Sequence, residues 1–496
     1  MAKYVIGTDV GTTGTKSILF SEDGQLVAHA YVPYPMQTPA IGYCEQDAED
    51  WWRAVVSTIH TVVKSAHAES EVAAISLSLQ GGTLVAVDEN CRPLRPAIVW
   101  SDKRCDEQRR AFSELFGERY MYEKTGWSSS SGLNAMQIRW LMENEPGTYH
   151  DAAMFLSVPD FISLRMTGRA AVDISDAGIN QLADIRAGGY DPAILDFCGI
   201  TEKQLGEILP SGEPIGYLTE EALAECGLTG KVLLVAGAHD QYAGLTGAGV
   251  TETGDVLIGT GTAWVVTALT DRPNFESGFA QSVSAVPGRW GSLVSLSTGG
   301  VSLDWLRNNI AKGIDDSEKL PYDAINAFAE KAGAGAGGLM FFPYFTSAAY
   351  PLKNPNAKAA FIGLDLMHDR YAMARAIMEG VALQTIWTLD AFNKAYGINH
   401  LKVSGGATKS PLWTKIIANA ANMPVYIPKT PDMPCVGAAV LAGVGAGVFD
   451  SVQEGAKRLS VEEKVVEPDP EGAEQYAAIL ERYQKVAAAL SELYNL

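Results

Sequence analysis

No two cysteines in this chain are spaced C-x-x-C. The six, at positions 44, 91, 105, 198, 226 and 435, lie too far apart in sequence to suggest a disulfide framework or a thiolate metal site, so reduced, packed thiols are expected. A long apolar run is also missing. The longest uncharged stretch, Met433–Phe449, is rich in glycine and alanine and falls short of the ~20 residues that cross a bilayer. It reads as a buried helix whose small residues permit close approach. The N-terminus enters a strand directly, without the apolar core of a signal peptide, and a cytoplasmic protein is expected. Basic residues are in deficit: 38 Lys and Arg against 58 Asp and Glu, for a net charge of −20. That argues against a nucleic-acid partner, which needs a basic footprint. It leaves room for an anionic nucleotide, because local N–H groups and a metal ion override a distant negative field.

What is present is ample core material. Of 496 residues, 47% are hydrophobic and 19% charged, which predicts a globular chain of two or three domains. The pattern predicts strands at Tyr4–Ile6, Lys16–Phe20 and Leu26–Val32, with a Gly/Thr turn over Asp9–Thr15. A helix over Asp47–Ser65 follows, with Asp47 as its N-cap, then strands at Val72–Leu79 and Leu84–Val87 and helices near 106–116 and 134–144. A second cycle opens with a strand at Val232–Val235. It continues with strands at Asp255–Ile258 and Ala263–Leu269 flanking a turn, Gly259–Thr262, and with helices over Tyr371–Ala395 and Glu474–Leu493. Apolar strand, Gly/Thr turn, apolar strand thus recurs about 250 residues on, and two similar halves are expected, 1–247 and 248–496.

Asp240 carries the most chemistry. A short apolar run delivers it to a Gly-rich segment that reads as a small, flexible turn, where a carboxylate can take the proton of a bound hydroxyl. Gly11 and Gly14 let the Asp9–Lys16 loop turn its N–H groups toward an anion, with Thr12, Thr13 and Thr15 as further donors and Asp9 placed to hold magnesium. It misses the Walker A pattern, since Thr15 separates the last glycine from Lys16 and a strand follows; an ordinary hairpin is the alternative. Gly259–Thr262 and Ser404–Ser410 are a second and third glycine turn, the latter ahead of a helix N-terminus that favours negative charge. His239 either orients substrate or packs. A base with two phosphate cradles points to phosphoryl transfer.

These segments together resemble the FGGY family of carbohydrate kinases, most closely its xylulokinases, over nearly the whole chain. The resemblance rests on Gly7–Lys16, on the acidic-Trp block Tyr43–Trp52, on Pro96–Arg104 with its W-x-D-x-R, and on Gly237–Gly249. Asp255–Trp264, Thr298–Trp305, Phe361–Leu364, Met378–Gly380 and Ser404–Trp413 carry it through the second half. It implies an α/β protein of two actin-like (ribonuclease H-like) ATPase domains around a central cleft, with sugar and catalytic base on the first and nucleotide on the second. ATP and Mg²⁺ are the implied cofactors. Asp240 is the implied base and, with Asp9, the implied metal residue. Substrate contacts fall to Gln80, Gly81, Gly82, Trp100, Asp102, Asp240 and Gln241. Gly11, Thr12, Thr13, Lys16, Gly259, Thr260, Gly300, Gly405, Gly406, Ala407 and Ser410 fall to the nucleotide. The expected partner is a small sugar or polyol, with no nucleic acid and no membrane, and a homodimer is the assembly considered.

Xylulokinases typically carry Gln-Met-His-Gly where this chain has Gln80-Gly81-Gly82-Thr83, and Gln241 is closer to glycerol kinases. Two side chains that would touch the sugar are missing, and an emptied pocket wall is expected. A pentulose such as xylulose leads the acceptor candidates, followed by another polyol, ketose or sugar acid of the glycerol, ribulose, gluconate or erythritol type. An actin- or Hsp70-like ATPase and a catalytically silent sugar-binding relative are the other readings; likeness of fold does not decide among them.

Overall fold

The computed structural model describes residues 4–296, 298–310, 320–430, 432–460 and 463–495. By its internal contacts the chain divides into two compact α/β units. One comprises Met1–Thr253, Leu269–Ser292 and Asp432–Val461; the other comprises Gly254–Ala268, Leu293–Pro431 and Glu462–Leu496.

Branched and aromatic residues build the first unit's sheet. Its strands are β1 (Tyr4–Val10), β2 (Gly14–Ser21), β3 (Leu26–Pro33), β4 (Val72–Leu79), β5 (Pro214–Tyr217) and β6 (Leu233–His239), in the order β5-β6-β4-β1-β2-β3. β1 and β6 both pair in parallel with β4, while the β1–β2, β2–β3 and β5–β6 pairs are antiparallel. The helix Ala48–Ala66 begins where Asp47 accepts a hydrogen bond from the Glu49 N–H at 3.0 Å, and it buries Trp51, Val55, Ile59 and Val62. Thr8, Ser17 and Thr58 form a buried hydroxyl chain, each link 2.8 Å, so the polar groups under this hairpin are satisfied.

Two expectations change. β1 runs on through Asp9, which pairs with Lys16, so Asp9 is fixed on a strand and the turn shrinks to residues 11–13. β6 likewise extends to His239, and the helix Asp240–Gly247 starts at once. Asp240 therefore sits at a strand-to-helix junction and not in a flexible turn. The neighbouring glycines serve contact: a Cβ on Gly237 would lie 1.6 Å from the Leu77 carbonyl oxygen.

The second unit repeats the pairing. β7 (Asp255–Thr260), β8 (Trp264–Thr270), β9 (His400–Gly405), β10 (Val425–Pro428) and β11 (Glu463–Val466) run β8-β7-β9-β10-β11. The pairs along that order are antiparallel, parallel, parallel, antiparallel. The row β2-β1-β4-β6-β5 has the same succession, so the hairpin echo in the sequence extends to five strands. The helices Arg370–Tyr396, Pro411–Ala421 and Pro470–Leu493 belong to this unit.

The helix Met433–Gly445 returns to the first unit because small residues let its backbone lie against β1 and the helix Asp240–Gly247. A Cβ on Gly7 would fall 1.8 Å from the Cys435 carbonyl oxygen, one on Gly247 1.9 Å from that of Met433, and one on Gly437 1.9 Å from that of Ala243. All six cysteines are free. No helix among the described residues is long and apolar enough to cross a membrane.

Gly437 sets two effects against each other. Alanine gains about 1 kcal/mol of helix propensity over glycine. Overpacking against a backbone carbonyl costs about 1–3 kcal/mol, and a 1.9 Å approach places this site at the upper end. Gly437→Ala should therefore lower the urea midpoint of unfolding; a raised midpoint would show that the contact is not tight.

Candidate active site

Three adjacent parallel strands, β1, β4 and β6, end at one edge of the first sheet, and their C-terminal ends carry Asp9, Ser78 to Gln80, and Asp240. The Ser78 hydroxyl donates to Asp9 Oδ1 at 2.8 Å. Burial first, and then the charge of Asp240, push the Asp9 carboxyl up to about 7 against the opposing pull of Ser78 and Lys16. Asp240 has a side chain 32% exposed; its Oδ1 is buried without a hydrogen bond and stands 3.3 Å from His239 Nε2.

The turn after β1 is pinned by its carbonyls. Gly11 O accepts from the Tyr34 hydroxyl (2.6 Å), Thr12 O from Gln46 Nε2 (2.7 Å) and Thr13 O from the Tyr31 hydroxyl (3.2 Å). None of the backbone hydrogen bonds among the described residues uses the N–H of Thr12 or Thr13. With carbonyls tied inward and N–H groups open, this turn suits an anion. The half-exposed Trp100 donates from Nε1 to Thr12 Oγ1 at 3.1 Å. Lys16 Nζ lies 2.5 Å from Asp432 Oδ1, so its ammonium is already paired.

The wall around Gly81 and Gly82 is not emptied, contrary to expectation. A Cβ on Gly81 would meet Ile179 Cγ2 at 2.4 Å and His239 Cδ2 at 2.9 Å; one on Gly82 would meet Leu133 Cδ2 at 2.2 Å. Those three side chains fill the space. Gly82 has φ +72, where a side chain is strained, and is fixed by its N–H to Asn180 Oδ1 (3.0 Å) and by Gln137 Nε2 to its carbonyl (3.3 Å). Gln80 Nε2 donates to Gln46 Oε1 at 3.2 Å. Asp102 is 1% exposed, and both its oxygens are occupied by Arg104 and the Cys44 N–H; it anchors the segment bearing Trp100. Gln241 is half-buried behind Asp240.

In the second unit a cavity of about 510 Å³ is lined by Thr260, Gly300, Gly406, Ala407 and Ser410 among the expected residues, and also by Trp264, Tyr322, Asn326 and Trp413. Gly259 and Gly405 do not line it. Gly405 takes φ +93 and leaves no room for a Cβ, which would sit 2.7 Å from the Thr260 carbonyl oxygen. The Thr260 hydroxyl donates to Ser404 O (2.5 Å) and accepts from the Ala407 N–H (3.0 Å), holding that turn. Ser410 caps the helix Pro411–Ala421 through the Trp413 N–H at 3.1 Å. Trp264 and Trp413, buried with ring centroids 5.0 Å apart and planes tilted by 41°, back the cavity with apolar packing.

Residues 4–247 match the N-terminal domain of the FGGY family of carbohydrate kinases, and residues 256–446 match its C-terminal domain. The chain belongs to the FGGY family of carbohydrate kinases. Over 100% of this chain and 98% of the relative it is 26% identical to gluconokinase of Bacillus subtilis. It is 28% identical to xylulose kinase of the same organism over 99% and 98%, and 29% identical to glycerol kinase of Thermococcus gammatolerans over 94% of both chains. Among solved structures, xylulose kinase from Rhodospirillum rubrum superposes with a TM-score of 0.92 at 26% identity, covering 100% of both chains. Family membership makes this an FGGY phosphotransferase that uses a nucleotide.

Gln46, Tyr34, Asn180 and Asp432 were not singled out from the sequence. Gln46 lies within the acidic-Trp block and was findable there. Asp432 carries no local signal, since its partner Lys16 is 416 residues away.

No cluster of three or more His, Cys, Asp or Glu among the described residues could hold a metal. Two neighbouring carboxylates whose charges oppose each other suit a hard divalent cation that completes its shell with water and phosphate oxygens. The sign of the pH effect is fixed. With a folded pKa of about 7 against an ordinary 3.8, Asp9 binds its proton more tightly when folded, so it adds stability below 3.8 and loses that contribution as pH rises to 7. Metal-free Asp9→Asn should therefore melt above the wild type at pH 8, with the gap closing toward pH 4. Mg²⁺ at pH 8 should raise Tm for the wild type and not for the variant.

Proposed function

We propose that this protein transfers the terminal phosphoryl group of ATP, with Mg²⁺, to a hydroxyl of a sugar or polyol, and that a pentulose such as xylulose is the leading acceptor. The observation that carries this is Asp240: a partly exposed carboxylate without a hydrogen bond, at the ends of three parallel strands and within electrostatic reach of Asp9. In this reading the first domain, to residue 247, holds acceptor and base. Residues 248–496 hold the nucleotide, and the fold is the actin-like, ribonuclease H-like one. The similarity to gluconokinase of Bacillus subtilis at nearly the same identity supports gluconate as the second candidate.

Asp240 accepts the acceptor's hydroxyl proton as that oxygen bonds to phosphorus and the bond to the bridging oxygen breaks, its electron pair leaving with ADP. The hydroxyl becomes acidic as the new bond forms. Asp9 and Asp240 would hold Mg²⁺, which when bound supplies charge neutralisation at the phosphates. The N–H groups of Thr12 and Thr13 receive phosphate oxygens, while Gln46 and Tyr34 fix the turn that presents them. Trp100, held on Thr12, offers the acceptor an apolar face.

A coupled ADP-release screen over xylulose, other pentuloses, glycerol, erythritol and gluconate tests the acceptor. Asp240→Asn should lower acceptor-dependent ADP release by about 10²–10⁴-fold and leave the affinity for nucleotide without Mg²⁺, by calorimetry, unchanged. Near wild-type turnover by this variant would remove Asp240 as the base.

A further inference from the structure

His239 is the last residue of β6 and is 6% exposed, yet the mechanism above gives it no part. Its ring is confined on three sides. Trp127 meets it edge-on with centroids 6.0 Å apart, Tyr242 lies tilted at 5.7 Å, and Gly81 leaves the gap that Cδ2 occupies. Its backbone is fixed as well. The His239 N–H donates to Ser175 Oγ at 3.0 Å, and that hydroxyl donates to Asp173 Oδ1, the N-cap of the helix Ile174–Ile179. Ring and backbone are thus set before any acceptor binds.

The ring nitrogen nearest the base is Nε2, 3.3 Å from Asp240 Oδ1. That oxygen is buried and has no hydrogen bond, so the exposed part of the side chain lies on the Oδ2 side. A buried, unpaired carboxylate oxygen costs free energy that a donor at this distance would relieve. At 3.3 Å the pair is within reach but poorly aligned, and catalytic hydrogen bonds that are poorly aligned before substrate arrives often tighten in the complex.

We propose that His239 is a positioning residue: its Nε2–H holds Asp240 Oδ1 and so aims Oδ2 at the acceptor hydroxyl. This rests on the reading of Asp240 as the base. In the tautomer required, Nε2 carries the proton and Nδ1 does not. Gly81 belongs to the same device, since any larger residue there would push the ring off its line to Asp240. The contribution appears in the transition state and not in ground-state binding, because the aim of the carboxylate matters only when the proton moves.

The test uses whichever of xylulose, gluconate and glycerol the wild type phosphorylates fastest. His239→Leu fills the space without a donor, and kcat should fall about 10–100-fold, as for a misaimed catalytic group, with KM for acceptor and nucleotide within about twofold. His239→Gln restores a donor and should recover to within about fivefold of wild type. His239→Met replaces the leucine variant if leucine does not fold. A leucine or methionine variant with wild-type kcat, a loss confined to KM, or a glutamine variant as slow as leucine would overturn the positioning role. Asp240→Asn separates the two ideas: if it turns over normally, or if the wild type shows no acceptor-dependent ADP release, the base assignment itself falls.

Discussion

Helix Met433–Gly445 meets β1 and the helix Asp240–Gly247 largely through backbone. At Gly7, Gly247 and Gly437 the nearest atom is a carbonyl oxygen within 2 Å of where a Cβ would stand. Contact that close cannot slide, because no flexible side chain can absorb the movement. Asp9 follows Gly7 by two residues on β1, and Asp240 opens the helix that Gly247 closes. Both carboxylates therefore hang from elements clamped by one helix. The distance between them, and hence their mutual repulsion and their fitness for a divalent cation, follows from glycine and alanine at positions that do no chemistry.

The carboxylates of the first unit fall into two kinds. Asp102 has four hydrogen bonds from Arg104 and the Cys44 N–H, and Arg104 also binds Glu45 and lies over the Tyr43 ring at 3.9 Å. Nothing remains for a ligand, and its work is to hold a segment in place. Asp9 has one hydrogen-bond donor, and Asp240 has a buried oxygen with none. A folded protein pairs its buried polar atoms wherever it can. Several exceptions stand at or beside this edge of the sheet: Asp240 Oδ1, His239 Nδ1, Gln80 Oε1 and Trp127 Nε1 are all buried and unpaired among the described residues. Saturation sets Asp102 apart from Asp9 and Asp240, and residue type alone cannot, since the W-x-D-x-R block and the strand ending at Asp240 each offer an aspartate.

The hairpins and their echo were legible because short apolar runs punctuated by Gly and Thr carry local signals. β1 was read as stopping at Ile6, since Gly7, Thr8 and Asp9 lower its apolar character; cross-strand pairing with Ser17 and Lys16 overrode that. Glycines 237, 244 and 247 were read as flexibility at Asp240. Gly237 and Gly247 mark the opposite, positions so tightly packed that a methyl group does not fit. A glycine in a sequence does not say whether it is there for its torsion angles or for its missing side chain, and only a neighbour distant in the chain decides. The pairing of Lys16 with Asp432 was illegible for the same reason.

The same ambiguity bears on substrate choice. Read alone, Gly81-Gly82 in place of the Met-His of xylulokinases suggests an emptied wall. The structure fills the space with Ile179, Leu133 and the ring of His239. His239 pairs with Leu79 across β6 and β4, one residue before Gln80, so the ring stands beside the strand end that carries the glycines. An imidazole absent from one strand end is thus present on the next, turned toward Asp240. That ring serves the carboxylate, since its Nε2 faces Asp240 Oδ1 and its Nδ1 is buried. His239 ends β6 and Asp240 opens the next helix, so one strand-to-helix junction fixes the positions of both side chains.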